Sequence, residues 1–221
     1  MIPGIGGSGD TLIGIFDLGQ YRLTWVIDST GDTVSSMSTV AIGGFLDTMD
    51  YDFCMAGTCT VNGLTIPQSD ISDSYWEDSV SFSADGSMNS FSVSGSGTIG
   101  AYSDSLASPS SSTAISSPST GDTITRGGDL TLNWNSGGSD TVYIYLMGAD
   151  TNGVNTRRLD FTVPNNGSYT IQGSNMGGFQ AGQDLAIAVG RVNYKKIARG
   201  NSRQYIIVTH SDHMIFCPLK N

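Results

Sequence analysis

An all-β fold made of two antiparallel β domains is what this 221-residue sequence predicts. Three observations carry the prediction. Glycine is abundant at 29 residues, Lys is scarce and Glu occurs once, at Glu77, while Thr, Val, Ile, Tyr and Phe are plentiful. That bias favours strands and turns over helices. Short runs then alternate apolar and polar residues between Gly, Asp, Asn and Ser clusters, as half-buried strands do. Finally, hydrophobic residues make up 38% and charged residues 14%, so cores can form and global disorder is not expected.

Residues 1–18, opening "MIPGIGGSGD", read as a flexible Gly/Ser tether. Such a tether suits a lipoprotein that has lost its signal and lipid-bearing cysteine, the sole membrane connection expected. No apolar run approaches the roughly 18 residues a spanning helix needs.

Residues 19–104 read as an acidic β-meander domain with a barrel-like outline. "QYRLTWVID", "TVSSMSTVAIGGF", "DTMDYDFC" and "CTVNGLTIP" are its first four strands. "SVSFSA" and "SMNSFSVSGSG" flank Asp85-Gly86, a strong two-residue hairpin signal. Residues 105–114, within the Ser/Pro/Thr-dominated stretch "SLASPSSSTAISSPSTGD", read as a linker.

Residues 115–209 hold about seven short strands, estimated from their 8–12-residue spacing, the pattern of a β-sandwich. "LTLNW", "TVYIYLMG", "RRLDFTVPNNGSYTI", "GQDLAIAVGRVN" and "RQYIIVTH" mark them. Trp25 and Trp134 are expected in the cores. Residues 210–221 read as a tail.

Charge supports the division. Residues 1–114 carry thirteen acidic residues and one basic, Arg22; residues 115–221 carry seven acidic and nine basic. A net charge of −10 argues against nucleic acid, whose backbone rewards dense positive charge.

Here the second half resembles a known family. "ISSPSTGDTITRGGDLTLNW", "TVPNNGSYTI" and "GQDLAIAVG" are similar to the Ig-like domain of Ser/Thr-rich, surface-anchored cell-wall proteins. The carriers are Trp134, the segment from Pro164 to Tyr169, and the strand from Gly182. The resemblance implies an accessory or structural domain without catalytic residues. The first half is more loosely similar to lipocalin-like domains of bacterial lipoproteins, through "GQYRLTWVID" and "VSFSADGSMNSFSVSGSGTI". The "CMAGTC" hairpin departs from that pattern.

The cysteines are Cys54, Cys59 and Cys217. Zinc sites want four ligands, and a thioredoxin-type motif has two intervening residues where this chain has four. Cys54 and Cys59 therefore read as a hairpin disulfide around "MAGT", which implies an oxidising compartment. Two thiols in a reducing compartment is the alternative. Cys217 reads as a plain apolar residue.

No catalytic residues are assigned. Two GxGxxG matches, at Gly4, Gly6 and Gly9 and at Gly95, Gly97 and Gly100, lack the strand-to-helix setting of a dinucleotide site. His210 and His213, with Asp212, could ligate a metal, but a terminal segment reads as exposed. There is no G-x-S-x-G elbow. The acidic clusters offer Asp47, Asp50, Asp52, Asp70 and Asp73 as candidate calcium ligands, competing with solvated turns. Calcium is the one cofactor considered.

Arg191, Lys195, Lys196, Arg199 and Arg203 form a candidate contact for an anionic ligand or the acidic module of another copy. Tyr75, Trp76 and Tyr102 are candidates for stacking on glycan. Two functional readings result. One is a non-enzymatic secreted or cell-surface protein with a structural or assembly role, as an envelope or extracellular-filament subunit that self-associates. The other is a surface binding module for polysaccharide or another extracellular ligand.

Overall fold

The structure, a computed structural model, describes residues 11–27, 31–46, 53–69, 72–138, 141–199 and 203–221. The chain is almost wholly β. Its strands are β1 (Thr11–Val26), β2 (Thr33–Phe45), β3 (Cys59–Val61), β4 (Leu64–Ile66), β5 (Tyr75–Glu77), β6 (Met88–Val93), β7 (Tyr102–Ala107) and β8 (Ile115–Ser117). They continue with β9 (Ile124–Thr125), β10 (Leu130–Trp134), β11 (Thr141–Ala149), β12 (Thr156–Val163), β13 (Ser168–Ile171), β14 (Asp184–Arg199) and β15 (Arg203–Lys220). One helical turn, Gly173–Met176, interrupts them.

The largest sheet runs β12-β11-β14-β15-β1-β2-β5, with β9 parallel to the end of β15. Two smaller sheets run β13-β10-β8 and β4-β3-β6-β7. None closes into a barrel among the described residues, so the barrel-like outline expected of the first domain is not realised.

The chain divides into two compact units, each assembled from separate segments. The first comprises residues 1–20, 38–110 and 192–210. Its core joins Phe16 and Leu18 of β1, Phe45 of β2, Phe91 and Val93 of β6, and Tyr205 and Ile207 of β15. Phe16 meets Phe91 edge-on at 5.4 Å, and Tyr102 stacks on Tyr205 at 4.6 Å. Such pairs add to the burial of two large rings.

The second unit comprises residues 21–37, 111–191 and 211–221. Its core is the interior of a two-layer sandwich. Leu130, Leu132 and Trp134 of β10 supply one layer. Ile144 and Leu146 of β11, Ile187 and Val189 of β14, and Ile215 and Cys217 of β15 supply the other. Trp134 is buried as expected, its indole N–H donating to Asn165.

The boundaries differ from the linear reading. Residues 11–18 begin β1, and residues 210–220 complete β15. The supposed tail is a strand in which His213, Ile215, Cys217 and Leu219 are buried and the residues between them are half-buried. The supposed linker begins inside β7, and its Ser108 and Thr113 are each 1% exposed. Ser108 Oγ accepts from Gly86 N, and Thr113 N donates to Ser211 Oγ. Hydroxyls that read as a solvated spacer instead hold the backbone.

Two hairpin readings also change. "SVSFSA" forms no strand; Val80, Phe82 and Ala84 still point inward, but β6 pairs with β7. "CTVNGLTIP" is two strands, turning at Asn62 (φ 51°) and Gly63 (φ 81°). That Asn-Gly pair is itself a strong hairpin signal.

Glycine within long strands makes room for large neighbours. A Cβ on Gly19 would collide with the His210 ring. We expect Gly19→Ala to destabilise the protein by roughly 1–3 kcal/mol. Gly100→Ala, where nothing lies within 4 Å, should be near neutral. Chemical denaturation of both variants measures the contrast, and equal stabilities would contradict it.

Candidate interaction surface

The candidate disulfide is absent: Cys54 and Cys59 are not bonded to each other. Cys59 points into the first core, fully buried, while Cys54 packs at its margin. Burial pushes the Cys59 thiol up to about 12, against the hydrogen bond of Tyr75. Cys217 is likewise a core thiol, pushed up to about 12 chiefly by burial and also by Asp122. The oxidising compartment inferred from a disulfide loses that support.

Of the candidate calcium ligands, Asp47, Asp50, Asp52 and Asp70 lie outside the described residues. Asp73 is bonded to Gln68 Nε2 at 3.0 Å. Among the described residues, no group of three or more metal-ligating side chains converges.

The basic stretch does not form one surface. Arg191 is fully buried, its guanidinium donating to the carbonyls of Ser111 and Asn135. Lys195 is exposed but holds Asp104 at 2.7 Å within its own unit. Lys196 is exposed. Arg199 and Arg203 lie in strands whose side chains there are outside the described set. The cause is that β14 is buried at every residue from Leu185 to Val192 and exposed from Tyr194 to Lys196, so Arg191 is covered where the sequence suggested an exposed hairpin.

The glycan candidates separate in the same way. Tyr75 is 2% exposed, with its hydroxyl donating to Gly57 O and accepting from Ala56 N. Tyr102 is 4% exposed, beneath Tyr205. Trp76, next to Tyr75 on the opposite face of β5, is the exposed member. Trp25, expected in a core, is 36% exposed.

His210 and His213 are buried rather than solvent-facing. In the first unit, His210 Nε2 lies 3.4 Å from Asp17. In the second, His213 Nδ1 accepts from Ile115 N at 2.8 Å, and Nε2 lies 3.0 Å from Thr24 Oγ1. The acceptor role at Nδ1 makes this ring a neutral tautomer with its proton on Nε2. Burial, then the charge of Arg22, lowers its pKa to about 4.

The surface that stands out is one sequence reasoning passed over. Residues 21–37, in the second unit, bring the end of β1 beside the start of β2. Ile27 N donates to Asp32 O, and the Thr24 and Ser35 hydroxyls pair at 2.6 Å. Leu23, Trp25, Val26, Ile27, Val34 and Met37 are all substantially exposed along this pair. From Thr33 to Ser38 every residue of β2 is exposed. β2 adjoins β1 on one side, and β5 meets it on the other only at Ala41–Gly43. Among the described residues, no strand covers that second side at 33–38. The stretch "TVSSMS" has no charge and no proline, two usual guards of a sheet edge. The available signal was a strand apolar at Val34 and Met37 with nothing in sequence to protect it.

No family model and no curated protein matches the chain. Among solved structures, the FN1–FN3 domains of chicken CNTN1 match at 13% identity and a TM-score of 0.25. The match covers 83% of this chain and 63% of that one. A likeness that distant carries no argument. No helix among the described residues is long and apolar enough to cross a membrane.

Two predictions follow from the buried groups. Unfolded His213 binds a proton near its ordinary 6.5, but the folded ring does so only near 4. Between those values the unfolded chain holds more protons, so stability falls as pH falls. Thermal unfolding at pH 7 and pH 4.5 should show a smaller acid-induced drop in His213→Gln than in the parent; equal drops would refute the assignment.

Arg191→Ala should cost about 3 kcal/mol or more, because buried carbonyls lose their donor. Lys195→Ala should cost no more than about 1 kcal/mol, as befits an exposed pair. Urea titration reads both, and similar losses would sink the distinction.

Proposed function

We propose that this protein is a non-enzymatic, extracellular or cell-surface component that self-associates through the exposed edge of β2. The carrying observation is the unguarded edge at Thr33–Ser38, with exposed apolar side chains on it and on its neighbour β1. A free edge offers a row of backbone donors and acceptors to another strand. Apolar side chains beside it add burial when that strand docks. Dense negative charge elsewhere opposes indiscriminate clumping and favours one defined contact.

This replaces charge docking by edge pairing. Arg191 is unavailable, and Lys195 already has Asp104. The polysaccharide alternative needs a row of exposed aromatics, and of its three candidates Trp76 alone faces solvent.

Light scattering and negative-stain microscopy over a range of protein and salt concentrations test the proposal. A concentration-dependent oligomer should form, and it should survive high salt. Val34→Lys with Met37→Lys should weaken it more than about tenfold, since each places a charge in an apolar contact. A monomer at every concentration, or an oligomer indifferent to both substitutions, would overturn it.

A further inference from the structure

In the second unit a cleft of about 590 Å³ opens beside the end of β1. Its walls include Trp25, Phe216 and Pro218, together with Thr120, Asp122 and Asp184. The volume falls within the range of small-molecule sites, which pair apolar walls with a few polar groups.

The floor is fixed by backbone bonds. Gly121 N donates to Phe216 O at 2.8 Å, and Thr120 Oγ1 donates to the carbonyls of Thr24 and Phe216, each at 3.1 Å. Ser119 N donates to Asp122 Oδ2 at 2.7 Å, orienting that carboxylate. Gly121 has φ 84°, and a Cβ there would sit 2.9 Å from Val26 Cγ2. Leu219 N donates to Gln183 O, and Gly182 N to Leu219 O, tying the entry to β14, and with it Asp184, against β15.

The chemistry of the walls is one-sided. Two carboxylates, Asp122 and Asp184, line it, and no lysine or arginine is among the described residues lining the cleft. Both act on one interior atom, for Asp122 and Asp184 each raise the Cys217 thiol, after burial. An anion would be repelled. A neutral sugar would stack on Trp25 and donate hydroxyls to the carboxylates, but only a cation draws on their full charge. A hard metal ion takes six or more oxygens and has no use for aromatic walls. An organic ammonium group uses everything present: its charge meets the carboxylates, and its alkyl shell lies on the indole face.

We propose that this cleft binds an organic ammonium group, with Trp25 as the stacking platform and Asp122 and Asp184 as counter-ions. The group is either a free quaternary ammonium compound or the side chain of a lysine. Trp25 also borders the β2 surface, so the Asp184→Asn variant, which is not part of that surface, separates this site from assembly.

Saturation-transfer NMR on the whole protein tests this, because it reads weak ligands on monomers and oligomers alike. Choline chloride and n-butylammonium chloride are the two probes. Their neutral controls are 3,3-dimethyl-1-butanol, the uncharged isostere of choline, and glucose. The choline methyl signal should saturate with concentration, disappear in Trp25→Ala and weaken about tenfold in Asp184→Asn, a surface change that leaves both cores intact. Stronger binding of choline than of butylammonium assigns the site to quaternary ammonium; the reverse assigns it to lysine side chains. Equal binding of the neutral isostere, binding of glucose alone, or a choline signal unchanged in Asp184→Asn would overturn the proposal.

Discussion

The fold depends on polar side chains buried in the middle of its long strands. Where β14 and β15 pass from one unit to the other, their sequence turns from aliphatic to polar at the buried Arg191, Thr209, Ser211 and His213 and at the half-buried Asn193. Those groups bind the backbone of residues 107–115. Asn193 and Thr209 take Ala107 O; Arg191 takes Ser111 O; Ser211 and His213 accept from Thr113 N and Ile115 N. A buried carbonyl or amide without a partner is costly, and a charged donor answers it strongly. The backbone of this segment is therefore bonded by side chains at these points, where a ladder would ordinarily serve.

β15 keeps its alternation while its company changes. Tyr205 and Ile207 serve the first core, and Ile215, Cys217 and Leu219 serve the second, with no change of parity. Period two shows in burial from His213 onward, while every residue from Gln204 to His213 is buried, as in a strand covered on both faces. Arg191 and Lys195 share a parity on β14 yet differ in burial, because the strand is buried at every residue from Leu185 to Val192 and exposed from Tyr194 to Lys196, so one basic run in sequence has two fates.

Much of the fold class was legible, and specific residues explain what was not. The strands at "LTLNW" and "TVYIYLMG", and Trp134 as a core residue, follow from alternation that a sandwich interior rewards. Domain limits did not, because charge balance and Ser/Pro content are linear properties. These units instead draw segments from three parts of the chain each. Ser108 and Thr113 look like spacer residues in sequence, since a hydroxyl's partner cannot be read locally. For the functional surface, the aromatic candidates were chosen by type. Tyr75 and Tyr102 have the right chemistry but face inward, while Trp25, with strand neighbours on both sides in sequence, faces out. The edge at Thr33–Ser38 was visible as a strand, but whether another strand covers it depends on pairing that sequence does not reveal.

The position of β15 between β14 and β1 governs the order of events during folding. β1 is made well before β15 and must wait for a partner encoded far later in the sequence. Closure of so long a loop makes the transition state slow to reach. In the interval β1 has β2 for company but an open side, and Phe16 and Leu18 have no Tyr205 or Ile207 to meet. Both cores therefore wait for β15, which supplies Tyr205 and Ile207 to one and Ile215, Cys217 and Leu219 to the other.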